Sequence, residues 1–191
     1  MSDLQSTTRR RYGTFRGFIR LALGQCELAC GRLNPWIRPD LGRVQRLVFV
    51  CLGNINRSAY GHALAERLGL PAASFGLSTS TGQPATAQAI STARILGLDL
   101  LAHRATDLSD FEILPGDLLL VMEIRHARIL APKVAGTGAQ IALLGYWARP
   151  QRVHIHDPHT LDAEYFATCF GVIGNALQRL DDEYHSAHLS P

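Results

Sequence analysis

The sequence of 191 residues predicts an α/β fold, a three-layer sandwich with a central parallel sheet. From residue 46 onwards, short apolar runs typical of buried strands alternate with segments whose apolar residues recur at helical spacing. Strands that alternate with helices usually pair in parallel, and the helices then cover both faces of the sheet. Ligands of such sheets bind beyond the carboxyl ends of the strands.

The apolar pattern places seven elements after residue 45. The predicted strands are the runs at 47–51, 73–78, 117–124 and 140–144. The predicted helices cover residues 57–68, 85–96 and 162–184.

A separate segment precedes this α/β region. Residues 1–13 are polar and basic, and a stripe of apolar residues then recurs at helical spacing: Phe15, Phe18, Ile19, Ala22, Cys26, Ala29, Cys30 and Leu33. Cys26 and Cys30, one helical turn apart, are predicted to face the core. Glycines and prolines follow up to residue 42 and indicate a linker. We therefore predict a basic N-terminal extension at 1–45 and the α/β domain at 46–191.

Composition and charge limit the function classes. No stretch reaches the roughly 20 apolar residues of a membrane span, and Leu21–Leu23 is shorter than the roughly 7–15 residues of a signal-peptide core. The four cysteines lack zinc-type spacing, which favours a reducing cytoplasm. Residues 1–46 carry a net charge of +6 within a chain of +3, but no nucleic-acid-binding motif accompanies it.

The loop after the first predicted strand is the strongest candidate for a functional site. Residues 48–50 deliver Cys51 at a strand end, and Arg57 and Ser58 open the next helix. Backbone amides of the crossing loop are expected to converge on a phosphate-sized anion, helped by the helix dipole. The crossing loop consists of Leu52, Gly53, Asn54, Ile55 and Asn56.

These residue types suit nucleophilic chemistry on a phosphate ester. The loop amides, Arg57 and the helix N-terminus favour a thiolate at Cys51. Arg57 offers a planar donor pair for two phosphoryl oxygens, and the Ser58 hydroxyl is placed to hydrogen-bond the sulfur. Cys26 and Arg32 share the same spacing, but no strand precedes them. The context therefore selects Cys51.

Residues 48–58, Val-Phe-Val-Cys-Leu-Gly-Asn-Ile-Asn-Arg-Ser, resemble the signature of low-molecular-weight protein tyrosine phosphatases. They differ chiefly at Asn56, where many members have a second cysteine. The resemblance covers about residues 46–184, and the segment Gly82-Gln83-Pro84 looks bacterial. Besides residues 48–58, the segments that carry the family resemblance are 80–84, 103–105, 117–123 and 157–158.

The resemblance implies roles for further residues. Asp157, in an Asp-Pro pair, would protonate the leaving oxygen and then activate water. Asn54 would brace the loop, and His103 would support Asn54. Many members carry aromatic residues after the Asp-Pro pair, whereas His159 and Thr160 follow here, so these two residues and Gln83 would form a more open or more polar substrate wall.

The activity implied is hydrolysis of phosphotyrosine through a cysteinyl-phosphate intermediate, in the cytoplasm and without metal or cofactor. Bacterial relatives often act on tyrosine kinases that control polysaccharide export, which makes such a kinase the expected partner. A metal site at His154, His156 and His159 is the less favoured interpretation of that segment, because a covalent cysteine mechanism needs no metal.

Three questions stay open at this point. One alternative activity is that of a thiol-dependent arsenate reductase, although only Cys169 follows Cys51 where a resolving pair is needed. Another alternative is a phosphate-binding module without catalysis. The basic extension is interpreted as a solvated tail or packing helix, or else as a contact for a partner or an anionic surface.

Overall fold

The computed structural model describes residues 8–189. Its sheet is formed by four parallel strands in the order β2-β1-β3-β4. The strands are β1 (Arg46–Cys51), β2 (Ala72–Gly76), β3 (Asp117–Val121) and β4 (Gln140–Leu143). Strand β1 lies in the middle, with Cys51 opposite Gly76 of β2 and Val50 opposite Val121 of β3. The segments that leave β1, β2 and β3 therefore meet at one edge of the sheet, with the Cys51 loop between the other two.

The longer α-helices within these residues are α1 (Phe15–Ala29), α2 (Arg57–Arg67), α3 (Ala87–Ile95), α4 (Ile124–Val134) and α5 (Ala163–Leu189). A short helical turn occupies 8–12. Single 3₁₀ turns lie at Asn34–Trp36, Leu41–Arg43, Leu108–Asp110 and Leu144–Tyr146. In the part of the chain that the structure describes, no helix is both long enough and apolar enough to cross a membrane.

Two apolar layers hold the helices against the sheet. Alternate residues of β1 point to opposite faces, so Phe49 packs with helices α2, α3 and α5, whereas Val48 and Val50 pack with α4. Tyr60 of α2 stacks on Phe170 of α5 with ring centroids 4.1 Å apart. Helices therefore cover both faces, and the predicted three-layer sandwich with its loop after the first strand is confirmed.

Helix α4 is absent from the sequence prediction, which extended the third strand to residue 124 instead of ending it at Val121. Charged side chains interrupt its apolar run, and Pro132 lies in its last turn. Pro132 lacks the N–H that would bond the Arg128 carbonyl, and since the helix ends two residues later, this loss is confined to its last turn. The buried residues of α4, Ala127 and Leu130 among them, nevertheless follow helical spacing.

Helix α1 forms where the sequence predicts a helix, but it packs through the opposite side. Its buried residues are Gly17 and Gly24, whereas Cys26 and Cys30 are exposed. The prediction that these two cysteines face the core is therefore wrong. A Cβ on Gly24 would lie 2.9 Å from the Val153 side chain, so a glycine is needed for the helix to come this close. Periodicity identified the apolar stripe but not the closer approach that glycines permit on the other side.

Candidate active site

Cys51 ends β1 at the base of the loop, and its side chain is buried. Its Sγ lies 3.0 Å from Ser58 Oγ and accepts a hydrogen bond from the Asn54 N–H at 3.3 Å. The Ser58 hydroxyl already accepts a hydrogen bond from Asn54 Nδ2, at 2.8 Å, so its own proton is free to point at the sulfur. Two donors thus converge on Sγ, the arrangement that stabilises negative charge there.

The remaining loop amides are available to an anion. Within residues 8–189, no acceptor bonds the backbone N–H groups of Gly53, Ile55, Asn56 or Arg57. These groups belong to the loop and to the first turn of α2, where the helix dipole is positive. Donors with no internal partner at a helix N-terminus form a ready anion site.

Asn54 braces the loop from within. It is fully buried, and its φ of 51° is left-handed, a conformation that asparagine tolerates better than most residues. Its side-chain amide donates to Ser58 and to Ser74, and its Oδ1 accepts from the Thr106 N–H. His103 Nε2 lies 2.7 Å from the Asn54 carbonyl and must donate there, because a carbonyl only accepts. Burial lowers the pKa of His103, which keeps this ring neutral.

Arg57 is buried behind the loop, and its guanidinium is held from one end. Nη1 donates to Glu123 Oε1 and to the Ile155 carbonyl, both at 2.8 Å. In the described part of the chain, Nε and Nη2 have no hydrogen-bond partner, although Nη2 forms an ion pair with Asp157 Oδ2 at 2.7 Å. Burial alone would lower the pKa of Arg57, but Asp157, Cys51 and Glu123 raise it above its ordinary value.

Glu123 is the functional candidate that sequence reasoning missed. It is buried, and besides Arg57 it pairs with Arg125 at 2.8 Å and lies 3.9 Å from Arg20 of α1. Burial would raise the pKa of Glu123, but Arg57 lowers it to about 2, so Glu123 stays charged as the counter-ion of Arg57. The sequence did hold a signal: a carboxylate two residues after a strand that neighbours β1 reaches the same edge of the sheet.

Two buried histidines also lie close to the Glu123 carboxylate. His126 Nε2 lies 3.6 Å and His154 Nδ1 3.7 Å from its carboxylate. Burial lowers the pKa of His126 to about 3 and that of His154 to about 4, so both rings are neutral near pH 7. The cluster around Glu123 therefore owes its positive charge to arginines.

Asp157 approaches the loop from the segment before α5. Besides its ion pair with Arg57, it accepts a hydrogen bond from the His159 N–H at 3.2 Å through Oδ1. The N-terminal extension, or arm (residues 1–45), reaches this segment: Thr14 Oγ1 lies 3.0 Å from Nε2 of His156, the residue before Asp157. A Cβ on Gly17 would come within 2.8 Å of the His156 ring. Helix α1 thus packs against the segment that carries Asp157, a contact the sequence did not predict.

The structure brings most of the predicted site residues together. Hydrogen bonds join Cys51, Ser58, Asn54 and His103, and a separate ion pair joins Arg57 and Asp157. Asn56 is buried, and its Oδ1 accepts a hydrogen bond from Thr86 Oγ1 at 2.6 Å. The predicted wall residues Gln83, His159 and Thr160 are exposed, and their role stays a prediction.

The histidine segment at 154–159 has the following geometry. The rings of His154 and His156 are 5.8 Å apart, with His154 turned toward Glu123 and His156 toward Thr14. Across residues 8–189, no group of three or more His, Cys, Asp or Glu side chains is arranged to hold a metal ion.

Comparison with known proteins decides the family. The family model for low molecular weight phosphotyrosine protein phosphatase matches residues 46–187. The chain belongs to this family. A probable low molecular weight protein-tyrosine-phosphatase, AmsI of Erwinia amylovora, is 32% identical over 139 residues, 71% of this chain and 94% of AmsI. The low molecular weight protein-tyrosine-phosphatase Wzb of Escherichia coli K12 is 32% identical over 135 residues, 70% of this chain and 90% of Wzb.

Solved structures agree with this assignment. The crystal structure of AmsI superposes with a TM-score of 0.63 at 29% identity, covering 73% of this chain and 93% of AmsI. The YwlE arginine phosphatase from Geobacillus stearothermophilus gives 0.66 at 22% identity, over 76% and 96% of the two chains, a likeness that concerns the fold alone. The predicted family and enzyme class, a protein-tyrosine phosphatase, are confirmed.

Proposed function

We propose that this phosphatase hydrolyses phosphotyrosine through a cysteinyl-phosphate intermediate, with Cys51 as nucleophile and Asp157 as general acid and base. The observation that carries the proposal is the orientation of Arg57. Its Nη1 is fixed on Glu123 and Ile155, while Nε has no hydrogen-bond partner in the described residues and Nη2 contacts the Asp157 carboxylate at 2.7 Å. These two nitrogens form one bidentate edge, the geometry that binds two phosphoryl oxygens.

The first step transfers the phosphoryl group. Cys51 Sγ attacks phosphorus as a thiolate, the bond from phosphorus to the tyrosine oxygen breaks, and protonated Asp157 gives its proton to that oxygen. The free loop amides and Arg57 stabilise the charge on the phosphoryl oxygens in the transition state. Tyrosine leaves, and the phosphate is held on sulfur.

The second step reverses the role of Asp157. Its carboxylate takes a proton from water, the water oxygen attacks phosphorus, and the sulfur–phosphorus bond breaks. The sulfur leaves as a thiolate, and the Ser58 hydroxyl 3.0 Å away donates to it. Inorganic phosphate is released, and Asp157 is again protonated for the next turnover.

The ion pair between Arg57 and Asp157 has a place in this cycle. In the unliganded site the Asp157 carboxylate lies 2.7 Å from Nη2, one of the two nitrogens assigned to the phosphoryl group. A bound dianion competes with Asp157 for this nitrogen. Substrate binding therefore turns Asp157 away from Arg57 and toward the leaving oxygen, where the first step requires it.

Substrate and location follow as part of the proposal. We assign residues 46–191 as the phosphatase domain and 1–45 as an extension, supported by the family match over 46–187. The relatives AmsI and Wzb are named protein-tyrosine phosphatases. On the bacterial resemblance, we propose a cytoplasmic enzyme whose partner is a phosphorylated tyrosine kinase linked to polysaccharide export.

A substrate panel tests the activity. We expect kcat/KM for a phosphotyrosine peptide to exceed that for matched phosphoserine and phosphoarginine peptides by about 100-fold or more. Enzymes discriminate between substrates by how strongly they bind each transition state, and the three peptides differ in the group that leaves phosphorus. Phosphate release measured at equal peptide concentration gives the comparison. Preferred hydrolysis of phosphoarginine, thiol-dependent reduction of arsenate, or phosphate binding without hydrolysis would each contradict the proposal.

A second prediction concerns Asp157. Asp157→Asn should lower kcat/KM for phenyl phosphate by roughly 10²–10³-fold, because phenolate needs a proton to leave. The loss should be clearly smaller with p-nitrophenyl phosphate, whose leaving group departs unprotonated. Steady-state kinetics over a series of aryl phosphates measure the difference.

The matched control is Asp182→Asn, an exposed aspartate on α5. It should leave the leaving-group dependence unchanged. An Asp157→Asn variant that loses activity equally with all leaving groups would exclude Asp157 as the general acid.

A further inference from the structure

The outer side of helix α1 is an apolar face that is exposed within residues 8–189 apart from one edge-on contact, in which the Tyr12 ring lies against Phe18 with centroids 5.1 Å apart. It consists of eight apolar residues and no polar one: Phe15, Phe18, Ile19, Ala22, Leu23, Cys26, Ala29 and Cys30. Phe15 is 69% exposed and Leu23 59% exposed. Single exposed apolar side chains are common on protein surfaces, but a contiguous face of this kind marks an interaction site.

The exposure of this face is fixed by how α1 is anchored. Gly17 and Gly24 lie on the opposite side of the helix and touch His156 and Val153, where any larger residue would collide. Hydrogen bonds from Gln25 to the Gln151 carbonyl and between Thr14 and His156 hold the same side. A rotation of the helix about its axis that buried the apolar face would bring larger side chains to the positions of Gly17 and Gly24, where they would collide with the domain. The apolar face therefore stays exposed.

The same arm concentrates positive charge. Eight arginines and three acidic residues lie in 1–45, a net charge of +5, which leaves the rest of the chain at −2. Five exposed arginines of the arm have no carboxylate partner within the described residues: Arg11, Arg16, Arg32, Arg38 and Arg43. Arg16 is next to Phe15 and flanks the apolar face on the helix.

We infer that α1 docks the protein on an anionic lipid bilayer, with the apolar face inserted at the headgroup level and the arginines against the lipid charges. An apolar helix face flanked by an arginine, on an extension with a net positive charge, is the pattern of a helix that lies in a membrane interface. Since the packed side of α1 touches the segment that carries Asp157, docking would hold the catalytic loop beside the membrane surface. Phosphotyrosines close to the bilayer would then be the favoured substrates.

A second copy of the chain fits this face less well. Helix α1 has 15 residues and is about 22 Å long, and the eight residues of its apolar face are far fewer than the roughly 20–30 residues that each side of a stable interface contributes. A stable dimer buries about 800 Å² on each partner. The unpaired arginines would also face each other across such a contact.

Vesicle sedimentation with the full-length protein tests the inference without using catalysis. We expect binding to vesicles of phosphatidylcholine with phosphatidylglycerol, much weaker binding to phosphatidylcholine alone, and loss of binding as salt is raised. The double variant Phe15→Gln/Leu23→Gln should reduce the partition coefficient at least about ten-fold, since both apolar contacts are lost. Arg11→Gln/Arg16→Gln should weaken binding to anionic vesicles only.

The matched control is Ile95→Gln/Leu101→Gln, which removes two apolar side chains that are 85% and 52% exposed elsewhere on the surface. It should bind vesicles like the unmodified protein, and all variants should hydrolyse p-nitrophenyl phosphate at the same rate in solution. Absent vesicle binding, or equal binding by the Phe15/Leu23 variant, would overturn the inference. So would a concentration-dependent dimer in sedimentation velocity that this variant abolishes, which would assign the face to self-association.

Discussion

Cys51→Ser is expected to lower kcat for p-nitrophenyl phosphate by at least about 10⁴-fold, because a serine hydroxyl is a far weaker nucleophile at neutral pH. The serine retains the size of the side chain and an acceptor for the Asn54 N–H, so the loop should keep its shape. Phosphate or vanadate should still bind, since Arg57 and the loop amides are untouched. Steady-state kinetics and calorimetric titration of the anion measure the two effects separately.

The control for this variant is Cys169→Ser. Cys169 is buried in α5, and burial raises the pKa of its thiol above the ordinary value, so it is no candidate for the attacking thiolate. Its replacement should leave kcat within a few-fold. Measurable turnover by Cys51→Ser, or an equal loss in Cys169→Ser, would mean that the covalent step does not occur on Cys51.

The part of the site that the sequence predicts best is local. Cys51, Arg57 and Ser58 lie within eight consecutive residues, and the strand, loop and helix that position them follow from apolar periodicity. Asp157 lies about a hundred residues away, and only the family resemblance connected it to the loop. Residues far apart in sequence meet through the strand order, which periodicity does not contain.

The failures of the sequence prediction have physical causes. Periodicity marks an apolar face of α1 but not which side of the helix other elements will cover, and two glycines let the opposite side approach the domain more closely. Glu123 was missed because a buried carboxylate is stabilised only by its partner, and that partner, Arg57, lies 66 residues earlier. The ion pair between Glu123 and Arg57 can be inferred only once β1 and β3 are known to be neighbouring strands.

Arg57→Lys is expected to lower kcat/KM for aryl phosphates by roughly 10³-fold, because lysine is a point charge without the bidentate edge formed by Nε and Nη2. Glu123→Gln should cost less, about 10²-fold: the amide oxygen still accepts from Nη1, but without the Glu123 charge Arg57 holds Asp157 more tightly against the incoming phosphate. Because Glu123 acts through Arg57, the double variant should lose little more than Arg57→Lys alone.

The matched control is a second arginine–carboxylate pair, which lies at the amino-terminal ends of β1 and β3, opposite the end of these strands that carries the active site. Arg46 binds Asp117 through Nε and Nη2, both at 2.8 Å, and Asp117 is buried like Glu123. Arg46→Lys should therefore lower the midpoint of thermal unfolding and leave kcat/KM unchanged. If Glu123→Gln behaved in the same way, losing stability with normal kinetics, Glu123 would be a structural counter-ion and not a positioning residue for Arg57. Strictly additive losses in the double variant would likewise separate Glu123 from the phosphate-binding edge, whereas the shared hydrogen bond at Nη1 predicts that the two effects overlap.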